Sequence, residues 1–169
     1  MTSLFPHTAY AEDQPNGHAI LYLHVMRASA MSFSFISFFR FPVSLLNARY
    51  RKLPIDMRAI TARTLQSSGH ALVIGSVAGA LMTWGRMRGK EEIEYQDRAW
   101  RILENKGEGK TDWAVMGGAG AGAIAGLLAA RRGVIPVSVG SAVLGGMGAG
   151  ASIGVPFMIG SFAAGRKPS

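Results

Sequence analysis

The sequence predicts an all-α membrane protein with about four transmembrane helices, Gly-xxx-Gly packing and one soluble amphipathic helix. Three observations carry that expectation. Long stretches are free of charge, the charges gather in two blocks at Arg49–Arg63 and Arg86–Asp112, and glycines recur every four residues inside the apolar stretches. A soluble domain carries about 25% charged residues spread along the chain. Here the figure is 17%, with 49% hydrophobic residues and a mean hydropathy of +0.20. Glycine weakens a helix in water by about 1 kcal/mol, whereas in a bilayer it lets helices approach closely. The 22 glycines of this chain therefore suit lipid better than water.

Crossing about 30 Å of hydrocarbon takes about 20 mostly apolar residues. The clearest span runs over 134–164, which holds no charge. As one straight helix it would measure about 46 Å, so Pro156 is expected to kink or end it, with Pro136 in its first turn. The third span, 113–130, is also uncharged and is joined to the fourth by a basic turn, 131–133. The second, 65–85, closes with Trp84 at the interface. The first, 19–46, is interrupted by Arg27 and Arg40, so a helix lying on the membrane surface competes with a span. Phe33, Phe35, Phe38 and Phe39 cover more than one face, and either arginine can snorkel from near a helix end, which favours a span.

The connections set orientation. The loop 47–64 holds Arg49, Arg51, Lys52, Arg58 and Arg63 against Asp56, and the turn adds Arg131 and Arg132. By the positive-inside rule this side is matrix or cytoplasm. Both termini (the polar tail 1–18 and the short tail 165–169) then lie opposite, with the mixed loop 86–112. Arg49, Arg51 and Lys52 are candidate lipid-headgroup ligands. The net charge of +8 and pI near 10.5 also suit nucleic acid, but in a chain with apolar spans anionic lipid is the expected partner. The tail 1–18 lacks Lys and Arg and contains Glu12 and Asp13, unlike a mitochondrial presequence or a secretory signal. Targeting information is expected to be internal.

Within the mixed loop, Lys90–Lys106 reads as a soluble helix with Gly107 as its C-terminal cap. Ile93, Trp100 and Leu103 form an apolar stripe expected to dock on the membrane surface or on a partner subunit, with Tyr95, Ala99 and Ile102 beside it.

VMGGAGAGAIAG at 115–126 recurs as VLGGMGAGASIG at 143–154, identical at eight of twelve positions. Residues four apart stack on one helix face, so Gly118, Gly122 and Gly126, and again Gly146, Gly150 and Gly154, form grooves without side chains. Gly75 and Gly79 place a shorter version on the second span. Gly120 and Gly148 sit two residues off this face. A phosphate-binding reading needs a strand before the glycines and a Lys after them, and neither is present. Helix packing is the expected role.

Nothing in the chain forms a catalytic constellation. The absence of cysteine excludes disulfides, thiolate metal ligation and thiol nucleophiles. His7, His18, His24 and His70 show no metal spacing, so no metal or other cofactor is expected. His24 and Arg27, three apart, share a face of the first span, and intramembrane ionisable groups are functional suspects. The spans as bounded hold no acid to relay a proton, so pairing with a lipid phosphate or a carbonyl is expected.

Four short spans, glycine ladders, a basic turn and no presequence resemble the mitochondrial Tim translocase family and its relative among the complex I accessory subunits. Asp112 followed by Gly117, Gly118 and Gly122 echoes that family's signature, in which Arg and Asp lead into a Gly-Gly-x3-Gly ladder. The whole chain, including Glu91–Trp113, is also similar to small fungal accessory subunits of respiratory complex I. The resemblance implies a four-helix unit of the mitochondrial inner membrane with both termini in the intermembrane space. It further implies a non-catalytic, supernumerary subunit that stabilises the membrane arm of NADH:ubiquinone oxidoreductase, with cardiolipin as the anionic lipid. A Tim-type component of protein import or insertion is the alternative.

Overall fold

The computed structural model describes residues 2–163, and among them every regular element is helical. Two short 3-10 turns, Thr2–Leu4 and Ala11–Asp13, precede α1 (Gly17–Ser37) and α2 (Arg40–Tyr50). The long α3 (Met57–Met87) follows, then α4 (Glu92–Glu104), α5 (Lys106–Arg131), α6 (Val139–Ala151) and α7 (Gly154–Ala163). The expected end of the fourth span at Ala164 and the tail 165–169 lie outside the described residues.

Proline sets two of the breaks. A proline lacks an N–H and its ring clashes with the carbonyl four residues earlier. Pro42 acts this way on Phe38, where the ladder tightens to three-residue bonds: Phe38 to Phe35 at 3.1 Å and Phe39 to Ile36 at 3.1 Å. Pro156 acts on Ser152, and α6 ends at Ala151 with Ile153 N–H reaching back to Gly150 at 3.2 Å. The expected kink of the last span therefore takes the form of a break between α6 and α7. Pro136, placed in the first helical turn by the sequence reading, lies ahead of the helix instead. Ser138 is the N-cap of α6, its hydroxyl accepting from Ser141 N–H at 3.3 Å.

The turn between α5 and α6 is accordingly longer than 131–133. It runs through 132–138 and opens with Gly133 at φ 64°. Gly133 N–H bonds Ala130 O and Val134 N–H bonds Ala129 O, both at 3.0 Å, which closes α5 in a Schellman motif. At the other end of α5, Asn105 accepts from Gly107 N–H at 3.0 Å and from Glu108 N–H at 3.4 Å. Gly107, expected to cap the preceding helix, is thus inside the next one, and Glu108 and Asp112 belong to the long apolar helix rather than to a loop. The stretch 57–64, also read as loop, is the first two turns of α3, capped by Asp56 accepting from Ala59 N–H at 3.1 Å.

Three helical stretches are long and apolar enough to cross a membrane: Gly17–Tyr50, Lys106–Arg131 and Val139–Ser161. The expected second span, 65–85, lies in α3, whose first half carries Arg58, Arg63, Gln66 and His70 and is less apolar. In space the helices are ordered α1, α3, α6, α5. α1 is antiparallel to α3 and α6 is antiparallel to α5, as the opposed residues below show, and α3 runs with α6, Leu65 opposing Gly145 and Ser68 opposing Gly148. Small residues make many of the central contacts, among them Ala30, Ala62, Ala142, Ala151, Ser34 and Ser68, alongside the larger buried Ile20, Met31, Ile60 and Val115, while Val73, Ile74, Val77, Leu81, Ile124, Leu128 and Ile153 point outward.

Candidate functional site: a glycine interface and a buried ionic cluster

The two glycine ladders face each other. A Cβ built on Gly118 would strike Gly150 O, one on Gly122 would strike Gly146 O, and one on Gly126 would strike Ala142 O; Gly146 and Gly150 meet Gly122 O and Gly118 O in return. The first glycine of one ladder thus opposes the second of the other, in both directions. The repeat is therefore an antiparallel helix pair with local two-fold character, and no residue larger than glycine fits at these five positions. A Cβ on Gly154 would overlap Val115 Cγ2 and lie 2.8 Å from Met31 Sδ. Gly75 and Gly79 serve the α1–α3 contact. Their Cβ positions lie 2.8 Å from Ser29 O and 2.7 Å from Met26 Cα. Of the two positions expected to be off the interface, Gly120 faces open space. Gly148 does not: its Cβ would overlap Ser68 O and lie 2.6 Å from Ser68 Oγ, because α6 packs on α3 by a second face.

The second feature is a cluster where α1 meets the start of α5. Arg27 Nε lies 2.7 Å from Asp112 Oδ1, and Arg27 Nη2 lies 2.6 Å from Glu108 Oε2. The side chains of Arg27 and Asp112 are 4% and 0% exposed, so the pair is sealed from solvent. His24 Nδ1 stands 3.2 Å from Arg27 Nη2 and 3.8 Å from Glu108 Oε2. Thr2 completes the shell, its backbone N–H donating to Asp112 Oδ2 at 2.7 Å and its hydroxyl donating to the same oxygen. The lipid phosphate or carbonyl expected beside Arg27 is thus replaced by two carboxylates of the same chain. Helix geometry explains the selection: Glu108 and Asp112 are four apart and share one face of α5. A buried guanidinium with two carboxylates fixes the register of α1 against α5, since each charge would be costly to bury alone.

The apolar stripe of α4 is divided between two uses. Tyr95 and Ala99 are buried; the Tyr95 hydroxyl donates to Met87 O at 3.0 Å, and its ring stacks on His18 at 3.6 Å. Of the three residues expected to dock elsewhere, Ile93 is exposed, Leu103 is half-buried, and Trp100 packs within the chain. The Trp100 indole N–H donates to Thr8 O at 2.9 Å, and its ring lies 5.4 Å from that of His7. Gln14, 1% exposed, stitches the same N-terminal segment by donating to Pro6 O at 2.8 Å and accepting from Thr8 N–H at 3.3 Å. Trp100→Ala is expected to release residues 2–16 from α4, with a loss of about 1–3 kcal/mol from burial and the hydrogen bond together. Faster proteolysis within 2–16 in the variant checks this; an unchanged cleavage rate contradicts it. Arg49, Arg51 and Lys52, the expected headgroup ligands, are exposed at the end of α2, with Lys52 at φ 52°.

The family described as protein of unknown function (DUF1757) matches residues 7–155. The chain belongs to that family. The match takes in α1 to α6, and so both glycine ladders and the Arg27, Glu108 and Asp112 cluster. No curated protein matches the chain. Among the described residues no group of three or more His, Asp or Glu is placed to hold a metal ion.

Proposed function

We propose that this chain is a four-span, non-catalytic structural subunit of a mitochondrial inner-membrane complex, with NADH:ubiquinone oxidoreductase as host. The observation that carries the membrane part is the distribution of side-chain size. Soluble domains bury large apolar groups and expose few; here the closest helix contacts are made by Gly, Ala, Ser and Thr at backbone distance, with Ile20, Met31, Met87 and Val115 buried beside them, and many Val, Ile and Leu side chains face outward. Lipid supplies no hydrophobic drive between helices, so packing of small residues takes its place.

The same geometry supports α3 as the fourth span. It lies between α1 and α6 at glycine contact distance, so it shares their surroundings. Its apolar face ends at Trp84, half-exposed with Arg88 5.2 Å from the ring centroid, as suits a headgroup boundary. Nine of the ten acids lie in the N-terminal segment, in α4 and its N-cap Glu91, or at the start of α5, while Arg40, Arg49, Arg51, Lys52, Arg58, Arg63, Arg131 and Arg132 lie at the opposite end. By the positive-inside rule this distribution supports both termini and α4 on the intermembrane-space side. Tags at the two ends are expected to show equal protease accessibility in mitoplasts. Termini on opposite sides would remove one span.

The resemblance of the whole chain to small fungal accessory subunits supports complex I as host. The order of Asp112, Gly117, Gly118 and Gly122 keeps the Tim-type import reading second. Mild detergent extraction, a native gel and mass spectrometry separate them. Co-migration with respiratory subunits is expected, and co-migration with translocase subunits instead would favour the second reading.

A further inference from the structure

A groove of about 660 Å³ opens at the basic end of the bundle, where the α1–α2 break meets α3, α5 and α6. Its walls include Phe38, Phe41, Thr64, Ala125, Ala129 and Ile135, and its floor is the glycine interface. Of the two hydroxyls in the lining, on Thr61 and Thr64, that of Thr64 is spent within α3 on Ile60 O at 2.9 Å, and the rest of the lining is Phe, Pro, Leu, Val, Ile, Ala and Gly. Exposed arginines neighbour lining residues in sequence on three helices: Arg40 beside Phe41 in α2, Arg63 beside Thr64 in α3, and Arg131 two positions after Ala129 in α5.

We infer that this groove holds one acyl chain of an anionic glycerophospholipid whose headgroup is bound by Arg40, Arg63 and the Arg131–Arg132 pair. The inference rests on the membrane reading above. The volume falls within the roughly 300–1,000 Å³ of ligand sites. The groove lies at the break between α1 and α2, whose contour a flexible chain can follow more closely than a straight helix about 10 Å across. Exposed arginines at the basic end that holds this apolar slot match a molecule with one negative end and one apolar end. They leave a helix of ordinary composition with unmatched charge.

The test uses the full-length protein in phosphatidylcholine vesicles containing a phosphatidylglycerol with a photoreactive acyl chain, against phosphatidylcholine with the same chain. Crosslinked residues are read by mass spectrometry. The expected result is labelling at the groove at least tenfold stronger with the anionic probe. Ala125→Phe, which fills the groove, should abolish it while leaving the helical circular dichroism intact. Arg131→Gln with Arg132→Gln should lower it about thirtyfold, since each basic residue near an anionic surface contributes about 1 kcal/mol. Equal labelling by the two probes, or labelling spread over the outer face at Val73, Ile74 and Val77, would overturn the inference and leave the membrane reading standing. Groove residues crosslinked to another polypeptide in the native complex would also overturn it. Failure of the protein to float with vesicles would remove the membrane reading itself.

Discussion

Gly122→Leu is expected to deplete the protein from membranes, and Gly120→Leu to leave it near its normal level. Both substitutions add the same side chain to α5, with the same gain in helix propensity and hydrophobicity, so the comparison isolates the face on which the side chain stands. At Gly122 a Cβ already overlaps Gly146 O; at Gly120 nothing lies within 4 Å. Overpacking costs about 1–3 kcal/mol in cores that can yield. Here the obstructing atom is a backbone carbonyl, so the two helices must separate and the neighbouring contacts at Gly118 and Gly126 open with them. Gly150→Leu should be as damaging, because Gly150 meets Gly118 O. Gly148→Leu should be damaging by a separate route, through Ser68 on α3. Steady-state abundance in membranes, measured by immunoblot after replacing the native protein, gives the ranking. Equal abundance of the Gly120 and Gly122 variants would show that the α5–α6 contact does not hold the fold together.

That ranking shows how far sequence spacing reaches. Four-residue spacing identified Gly118, Gly122 and Gly126 as one face, because periodicity within a helix is local geometry. It did not identify what the face meets. The pairing of Gly118 with Gly150 and Gly122 with Gly146 depends on the length of the connection, which runs through 132–138 rather than 131–133. Gly148 departs from the spacing for a related reason: α6 is packed on two sides, and a repeat reveals only the side it shares with its copy. The start of α5 was legible but was outweighed by Gly107. Asn105 followed three residues later by Glu108 is a helix-start pattern, and following it would have put Glu108 and Asp112 on the same helix as the ladder. The anchoring of residues 2–16 by Gln14, Thr2 and Trp100 had no periodic signal, since it is built from turns and backbone carbonyls.

The inclusion of two acids in α5 leads to the other large expected effect. Removing one partner of a buried ion pair costs about 3–5 kcal/mol, because the remaining charge is left without compensation. Arg27→Met leaves both Asp112 and Glu108 facing an apolar side chain, whereas Asp112→Asn leaves Arg27 still paired with Glu108 at 2.6 Å. Arg27→Met should therefore be the more damaging, and Asp112→Asn should keep much of the Thr2 contact through its side-chain oxygen. In the double variant the net charge removed from the core is zero, and Glu108, whose side chain is 28% exposed, can turn toward water. Its cost should fall below the sum of the two single costs by about 1–3 kcal/mol, the range of coupling between residues in contact. Denaturation midpoints of the four proteins in one detergent complete the cycle. A double variant whose loss equals the sum of the singles would show that Arg27 and Asp112 are buried side by side without acting on each other, and that the register of α1 against α5 is held by packing at Met31 and Val115 alone.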